Sequence, residues 1–509
     1  MAGVAAVAAV EVELAGAGSG WTALTADVRI GLQPVEVSYG IRSSSPLDRV
    51  ASTGTMTWAL NNSASNSGTA AGYYSPGHTA ARSGWDIGIG VRLKITYDGT
   101  SYYKFRGTLI SVDPTAGKTE QAVICQAVDW MDEAARTRIH GIGIQTDKRS
   151  DQIIDTIVTS SVTRQPPAKS LATGISSFVT SLDNMEDTKT PVLTALNDVT
   201  VSELGFLYVK GDTSTGGVLT FQDRHARSKS STVGSFDETM AALDVRRDRA
   251  DIANRVYVVV HPRTTAGSAS VLWEITTTNS VPSIPAGETI QITAPFREST
   301  SDARSYRVAG TSVVTPVAGT DWIANTAEDG SGSVITSDVA VTLATTAANA
   351  VTFNIVNNGT VTAYLTTLQI QGTQVSDVSE TVMAAADSTS QTDFGEVDVR
   401  VDMKYESRTG SFAFNIAEWL LGVLKDPRFV VNRLTLQGNK SAALMVHALA
   451  GRWRSDYCGG IIYRVNHLHG LFHQRRGCYR GAGVHDYDVL DSRTSGSVGV
   501  LDSRASWGQ

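Results

Sequence analysis

The stretch VRLKITYDGTSYYKFRGTLISV, residues 91–112, decides the fold. Apolar and polar side chains alternate through residues 91–97 and again through residues 102–112. An alternation with a period of two is typical of a strand that buries one face. Between the two runs stands Asp98-Gly99, a strong hairpin signal because Gly accepts the positive φ that such turns demand. The stretch therefore predicts an antiparallel pair of strands.

The same pattern continues on both sides of this hairpin. A turn is predicted over residues 113–117 and a further strand over residues 121–128. Together these elements predict a β-meander over residues 85–130, part of a small barrel or sandwich. Residues 10–14 alternate in the same way and predict an earlier strand.

Helical patterns are few and come later in the chain. Asp151 stands near the start of the first, where the helix dipole favours a carboxylate, and Pro191 begins the second, in the first turn that suits proline. Predicted helices cover residues 150–160, 190–204, 412–424 and 441–452, with a hairpin over 206–221 and a short strand over 433–437. We therefore expect a mainly-β, multi-domain chain with a few helices, which includes one α/β part.

Residues 263–385 differ in composition from their surroundings. They are rich in Thr, Ser, Val, Ala and Gly and poor in Lys. Short alternating runs recur between turn signals, at residues 271–275, 289–293, 339–343, 350–356 and 363–370. This spacing predicts an inserted antiparallel β-sandwich. A disordered Thr/Ser-rich linker is the alternative, and the regular alternation argues against it.

Composition bounds the class of protein. The chain has 509 residues, enough for three or four domains, with 41% hydrophobic and 18% charged residues. A net charge of -7 argues against general capture of nucleic acid or anionic membranes. We expect no membrane anchor and no secretion signal, because no apolar run is long enough to span and residues 2–10 lack a basic flank. Three cysteines are too few for a disulfide framework, which fits folding in a reducing cytoplasm.

Enzyme signatures are absent or incomplete. Gly117-Lys118-Thr119 resembles the tail of a phosphate-binding loop, but Val112 stands where that loop needs Gly and the segment lies between two strands. The acidic run of Asp183, Glu186 and Asp187 is interpreted as solvated loop charge, although carboxylates so placed can also hold a cation or hydrolyse glycosides. We predict no catalytic residue and no cofactor.

A group of cysteines and histidines near the C-terminal end is the weak candidate for a metal site. Cys458, His467, His469 and Cys478 offer the thiolate and imidazole ligands that zinc prefers. No Cys-x-x-Cys pair anchors the group, and surface imidazoles on a barrel rim explain the same residues. The prediction is therefore no metal.

Several short motifs occur in a characteristic order. They are YGI at 39–41, PLDRVA at 46–51, GTMTWALNN at 54–62, GYYSPGH at 72–78, GVRL at 90–93 and FRGTL at 105–109, then IANRV at 252–256, PAGET at 285–289 and YLTTLQIQG at 364–372. Each motif alone is weak. In this order they resemble the minor tail proteins, or baseplate-hub proteins of the tail tip, of long-tailed phages.

The resemblance implies an architecture. Hubs of this family pair two similar β-barrel domains in each chain, so that a trimer presents six barrels to a hexameric tail tube. The expected domains are an N-terminal hub barrel at 1–140, an α/β side domain at 141–250, a second hub domain from 251–262 and 386–509, and the inserted sandwich at 263–385.

The resemblance also implies a function. It indicates a structural virion protein, not an enzyme, made in the host bacterial cytoplasm and placed at the phage tail tip. Expected partners are two further copies of the chain, the tail tube or distal tail protein, the tape measure protein, and receptor-binding or spike proteins. Phage DNA is expected to pass without specific binding.

Aromatic residues supply the candidates for contacts. Tyr73, Tyr74 and Trp85 are candidates for inter-subunit contacts if they are exposed, and burial in their own domain is equally consistent with the sequence. The alternative function is carbohydrate binding or adhesion by the inserted sandwich, with Trp273 and Trp322 as stacking residues. A tail-borne cell-wall hydrolase is a further alternative, for which the sequence offers no acid/base or zinc site.

Overall fold

The computed structural model is mainly β and divides into several sheets, which confirms the predicted class. It describes residues 6–14, 16, 18–41, 47–117, 120–226, 240–277, 281–296, 306–427, 429–436, 445–446, 449, 460–467 and 471–475. None of the helices in these ranges combines the length and the apolar character that a membrane crossing requires.

The N-terminal part is one large antiparallel sheet. Its strands are β1 (Val7–Glu13), β2 (Thr22–Ala23), β3 (Val35–Gly40), β4 (Thr55–Asn61), β5 (Gly90–Tyr97), β6 (Thr100–Ala116) and β7 (Gln121–Val128). They lie in the order β2-β1-β5-β6-β7-β4-β3. Alternate residues of these strands, among them Val10, Trp58 and Leu93, are buried in one apolar core. The predicted meander is confirmed.

This sheet curls towards a barrel without becoming one. Just after β2, the Arg29 N–H donates to the Ala59 carbonyl of β4 at 2.8 Å, and Val28 forms an isolated bridge with Leu60. Among the described residues, continuous strand pairing does not close the sheet. The predicted closed barrel is therefore an open, curled sheet in this part of the chain.

Strand β6 is longer than predicted. It runs through the expected turn at 113–117, and the chain reverses only where the Gly117 N–H donates to the Glu120 carbonyl. Pro114 has no N–H for a sheet, but it pairs with Val123 of β7 alone, because β5 accompanies β6 only as far as Thr108. Proline is tolerated where one side of a strand is an edge.

The long connection from β4 to β5, residues 62–89, is fastened to the sheet by a buried carboxylate. Asp27 accepts hydrogen bonds from the Tyr74 hydroxyl at 2.5 Å and from the Ser67 backbone N–H at 2.8 Å. The Trp85 indole N–H donates to the Tyr74 carbonyl at 2.9 Å, and the two rings meet edge to face. Tyr74 and Trp85 are 0% and 3% exposed, so they belong to the core of their own domain.

An α/β part follows. Its elements are α1 (Trp130–Arg136), β8 (Gln145–Arg149), α2 (Ser150–Ser161), β9 (Ala168–Leu171), β10 (Ser177–Ser181), α3 (Val192–Glu203), β11 (Phe206–Lys210) and β12 (Val218–Gln222). Strand β12 pairs in parallel with β9 and antiparallel with β11, while β8 pairs with β10. The two predicted helices and the predicted hairpin are confirmed, and the apolar stripes of α2 and α3 share one core.

The turn of the β11–β12 hairpin docks on the N-terminal sheet. The Tyr103 N–H donates to the Asp212 carbonyl at 2.7 Å, and the Asp212 N–H donates back at 3.1 Å. Gly211 is required by this approach, because a Cβ atom there would lie 2.3 Å from the Tyr103 carbonyl oxygen. Side domain and sheet are therefore in backbone contact.

Strand β13 (Met240–Arg247) precedes β14 (Arg255–Val260), which leads into the inserted part. The insert consists of β15 (Arg263–Thr276), β16 (Ser283–Ile284), β17 (Thr289–Pro295), β18 (Tyr306–Thr311), β19 (Trp322–Asn325), β20 (Val339–Thr346), β21 (Ala350–Asn357) and β22 (Ala363–Asp377), after which β23 (Thr381–Ala386) returns. One sheet gathers β15, β16, β18 and β19 around β22, and the other has the order β17-β21-β20. All pairings are antiparallel around a shared core, which confirms the predicted sandwich.

The last elements are α4 (Ser388–Phe394), β24 (Asp398–Met403), α5 (Ser411–Leu424), β25 (Phe429–Leu436), β26 (Gly460–His467) and β27 (Leu471–Arg475). Strand β14 lies between β23 and β24, and α5 covers this three-stranded sheet. Strand β26 pairs with β3 and β27 with β26, so the C-terminal strands extend the N-terminal sheet. The expected second hub domain at 251–262 and 386–509 stays a prediction, and within that range β26 pairs with the edge strand β3 of the N-terminal sheet. Most of the predicted helix at 441–452 lies outside the described residues.

Lys104 ties the C-terminal region to the N-terminal sheet. Its ammonium donates to the Leu449 carbonyl, and Met445 and Leu449 are buried in the sheet's core. Burial lowers the pKa of Lys104 from 10.5 to about 7, because a charge in an apolar core loses its hydration.

We predict that Trp85→Ala lowers the free energy of unfolding by about 3–5 kcal/mol, because it leaves a cavity in the core. Chemical denaturation measures the change. Tyr73→Ala, at a half-buried neighbouring ring, is the matched control and is expected to cost less. A Trp85→Ala protein with unchanged unfolding but impaired self-association would contradict the core assignment.

We also predict that the wild type gains stability as the pH rises from 7 towards 10.5. The folded-state pKa of Lys104 lies below its ordinary value, so the unfolded chain binds the proton more tightly throughout that window. Lys104→Met removes this dependence and is expected to be the more stable protein at pH 7, with the difference narrowing by pH 9.5. Denaturation at both pH values measures it, and parallel curves would speak against a buried ammonium.

Candidate functional site: a buried polar junction

Three parts of the chain meet at a cluster of buried and partly exposed polar side chains, here called the polar junction. The α/β part, the base of the insert and the sheet under α5 contribute to it. Its members are Asp183, Asn184, Asp198, His261, Arg263, Asp377, Asp402, Lys404 and Tyr405. Because side chains from all three parts contact one another in this cluster, we take it as the candidate functional site.

Arg263 is the central cation of the junction. Its Nε lies 2.6 Å from Asp183 Oδ2, and its Nη1 lies 3.0 Å from Asp377 Oδ1. The side chains of Arg263 and Asp183 are only 7% and 1% exposed. Arg263 is the first residue of β15 and Asp377 the last of β22, and the register of these strands places the two opposite each other. The insert therefore presents one salt-bridged pair at its base, and Asp183 of the α/β part binds it.

A second layer is built from hydrogen bonds. The Tyr405 hydroxyl donates to Asn184 Oδ1 at 2.7 Å, and Asn184 Nδ2 donates to Asp198 Oδ2 at 3.1 Å. Burial raises the pKa of Asp198, although the Asn184 amide and the nearby Lys404 oppose the shift. Burial also raises the pKa of Tyr405 well above its ordinary value, with Asp198 and Asp183 adding to the effect. The phenol therefore stays neutral and acts as a donor.

The third layer belongs to the sheet under α5. His261 Nε2 lies 2.6 Å from Asp402 Oδ1, and Lys404 Nζ lies 2.7 Å from Asp402 Oδ2. Burial alone would raise the pKa of Asp402, but His261 and Lys404 hold it at about 2. The backbone N–H of His261 donates to the Glu406 carbonyl at 2.8 Å. His261, two residues before Arg263, is thus held by a different part of the chain.

A buried carboxylate reinforces the α/β side. Glu203, at the end of α3, is fully buried and accepts hydrogen bonds from the Ser176 N–H at 2.8 Å and the Ile175 N–H at 3.2 Å. Burial raises its pKa, while Arg224, whose Nη1 lies 3.7 Å away, opposes the shift. The carboxylate joins the end of α3 to the segment before β10.

The junction is suited to holding elements together, and its ligand chemistry is limited. In the described ranges, no three His, Cys, Asp or Glu side chains form an arrangement that could hold a metal ion. Arg263 itself occupies the space between the two carboxylates that flank it.

The acidic run is corrected by the structure. Asp183 was expected to be solvated loop charge, yet it is buried against Arg263. Glu186 pairs with Lys189 on the surface, and Asp187 accepts from the Gly141 N–H, so only Asp183 joins the junction. The insert's closing pair, Arg263 and Asp377, was missed. The sequence signal that could have identified this pair is a charged residue at each end of a segment that is otherwise poor in charged residues.

The aromatic candidates are mostly core residues. An inter-subunit role requires exposure, and Tyr74 and Trp85 are buried. Tyr73 is half-buried, and the Arg82 guanidinium carbon lies 5.5 Å from the centroid of its ring. Of the two candidates for glycan stacking, Trp322 is 7% exposed within the sandwich core, and Trp273 packs against that core near Phe353. The Trp322 ring therefore offers no open face for a sugar.

The zinc candidates are not tested by the structure. Cys458, His469 and Cys478 lie outside the described residues, and only the backbone of His467 is described, in β26.

No protein-family model matches the chain, and no curated protein matches it. Solved structures similar to it include a 43 kDa tail protein of prophage MuSo2 from Shewanella oneidensis, at 9% identity and a TM-score of 0.43, covering 93% of this chain and 98% of that one. A tail protein from Neisseria meningitidis MC58 has 9% identity and a TM-score of 0.30, covering 50% of this chain and 64% of that one, less than two thirds of its length.

A component of the type VI secretion system from E. coli is also similar, at 10% identity and a TM-score of 0.24, over 67% of this chain and 76% of that one. The structures similar to this chain are therefore tail proteins and a secretion-system component. Scores below 0.5 do not establish a common fold.

We predict that Asp198→Asn stabilises the protein more at pH 7.5 than at pH 4.5. The folded-state pKa of Asp198 is raised, so the wild type loses stability as the pH rises through that value and the buried carboxylate ionises. Asparagine keeps an oxygen to accept from Asn184 and removes the charge. Thermal unfolding at both pH values measures the effect, with the exposed Asp393→Asn as control. An equal shift at both pH values would contradict the burial of charge at this position.

Proposed function

We propose that this chain is a structural protein of a phage virion, a baseplate hub at the tail tip. It would close and extend the tail tube, join the tube to receptor-binding or spike components, and form part of the conduit for DNA. The observation that carries the proposal is the ordered set of motifs in the N-terminal half, because most of them fall in one sheet and its long loop.

The placement of these motifs supports a shared architecture. Residues 39–41 end β3, residues 54–62 span β4, residues 90–93 begin β5 and residues 105–109 lie in the middle of β6. Residues 72–78 lie in the loop that Asp27 fastens to the sheet. Motifs scattered over unrelated surfaces would have argued against a common origin of the pattern.

The charge of the chain is compatible with a conduit. Each phosphate that a protein neutralises adds affinity, and therefore resistance to passage of DNA. A net charge of -7 makes general retention of phosphates unfavourable. We propose that DNA passes without specific binding.

The finer features of the proposal concern assembly. We propose a homotrimer that contacts the tail tube or distal tail protein, the tape measure protein and the receptor-binding or spike proteins. Strands β14 and β24 and helix α5 belong to the residues proposed for the second hub domain, and β23 pairs with β14. The role is structural, with no catalytic step assigned to any residue, and the buried Trp322 gives the adhesion alternative no support.

Light scattering of the purified protein over a range of concentrations tests the assembly. We expect 162 kDa, three times the 54.0 kDa chain, and rings with a central opening in electron micrographs. A mass of 54.0 kDa at every concentration would contradict the homotrimer.

A further inference from the structure

We propose that the inserted sandwich is a hinged arm, held by a latch at the polar junction and able to pivot about a break in a two-stranded ribbon. The inference concerns the mechanics of the chain and does not depend on the tail-tip function.

The chain enters the insert between β14 and β15 and leaves it between β22 and β23, and these two connections are called crossings here. The strands on either side of the crossings form the two-stranded ribbon. On the near side, β14 pairs with β23 from Arg255 with Ala386 to Val260 with Thr381. On the far side, β15 pairs with β22, beginning with Arg263 and Asp377. Two residues on one strand and three on the other separate the two pairings. The insert is thus the far half of a ribbon whose near half belongs to the sheet under α5.

The break has the features of a hinge. Pro262 occupies one crossing, and Ser379 occupies the other with a φ of +67°, a conformation that side-chain-bearing residues seldom adopt. The Val378 N–H donates to the Pro262 carbonyl at 3.2 Å, which keeps the two crossings together. A few residues at the ends of elements, with backbone angles outside the regular strand values, are what absorbs a pivot.

The two sides of the break are anchored to different bodies. On the near side, His261 is held by Asp402 and by the Glu406 carbonyl, and Glu380 pairs with Arg400 at 3.0 Å. These partners belong to β24 and to the residues that follow it. The near side therefore stays with the sheet under α5.

On the far side, Arg263 is held by Asp183 of the α/β part and pairs with Asp377 within the insert. Separating Asp183 from Arg263 moves the far half of the ribbon without breaking any pair of its near half. The hinge therefore lies between residues that are held by two different neighbours.

The latch has two further contacts. The Ala348 N–H donates to the Ile142 carbonyl at 3.0 Å, and Ile144 packs against Val308, Ala309 and Val375 at the base of the insert. This apolar cluster is separate from the large core of the sandwich. The latch can therefore open while the sandwich keeps its own core.

The main contact of the latch is the buried ion pair between Arg263 and Asp183. Asp183 Oδ1 has no hydrogen-bond partner among the described residues, and Arg263 Nη1 and Asp377 Oδ1 face each other at 3.0 Å as an ion pair without the geometry of a hydrogen bond. Removing one member of a buried ion pair leaves the other buried without compensation, which is strongly destabilising. Here, however, Arg263 keeps Asp377 as a counter-ion when the Asp183 charge is lost, so this loss weakens the contact between the insert and the α/β part while the pair within the insert remains.

Hydrogen exchange on the intact chain tests the proposal. In Asp183→Asn we expect the Ala348 amide to exchange at least about tenfold faster, because exchange follows the free energy of local opening. Amides of β21 and β14, the central strands on the two sides of the hinge, should keep their rates. Glu328→Gln, which removes an exposed carboxylate of the insert that takes no part in the latch, is the matched control and should leave Ala348 unchanged.

Two results would overturn the hinged arm. One is an unchanged Ala348 rate in Asp183→Asn. The other is an equal acceleration throughout β21, which would mean that the sandwich unfolds instead of pivoting.

A cross-link covers the case in which Asp183→Asn does not fold. In a background with Cys458→Ser and Cys478→Ser, the pair Ile142→Cys and Ala348→Cys joins the latch when oxidised. The Gly310 N–H donates to the Ala348 carbonyl at 3.1 Å, and the Val378 N–H donates to the Pro262 carbonyl at the hinge. We expect both amides to exchange about tenfold more slowly in the oxidised form than in the reduced form of the same protein. Equal rates in the two forms would overturn the proposal.

Discussion

The register between β14 and β23 is the constraint on which much of the molecule depends. The two strands are separated by the whole insert, and their pairing closes a loop of more than a hundred residues, which costs chain entropy. Once they pair, the crossings lie side by side, Arg263 stands opposite Asp377, and Arg263 also reaches Asp183. A shift of one residue in this register would turn the apolar face of β14 away from α5. The position of the insert and the composition of the polar junction both follow from this single pairing.

The elements at the polar junction are held together largely by buried charges, and removing these charges from water costs free energy. Asp198 and Glu203 have raised pKa values because burial removes their hydration, whereas Asp402 has a lowered one because the His261 ring and Lys404 hydrogen-bond to it. Buried ion pairs are weak evidence for stability, since desolvation offsets much of the attraction between the charges. What they supply here is selectivity of position, because a displaced Arg263 would leave Asp183 and Asp377 buried together without a counter-charge.

One edge of the N-terminal sheet is covered by a strand that lies far away in the sequence. Strand β3 would present an open edge, and β26, more than 400 residues later in the chain, pairs with it. Met445 and Leu449 add to the same core, and the Lys104 ammonium contacts the backbone there. Strand β26, Met445 and Leu449 therefore join the N-terminal sheet and its core, although they lie hundreds of residues away in the sequence.

The sequence by itself determined the local elements. Alternation predicted β5, β6 and β7, periodicity predicted α2, α3 and α5, and composition marked the insert, because these signals depend on residues close together in the chain. The path of β6 through Pro114 was missed, since only the neighbouring strands show that one side of it is an edge. Tertiary structure alone decided that Asp183 is buried, that Tyr74 and Trp85 face inward, and that β26 joins β3. Burial and pairing of these residues depend on partners tens to hundreds of positions away, and no local pattern encodes such distances.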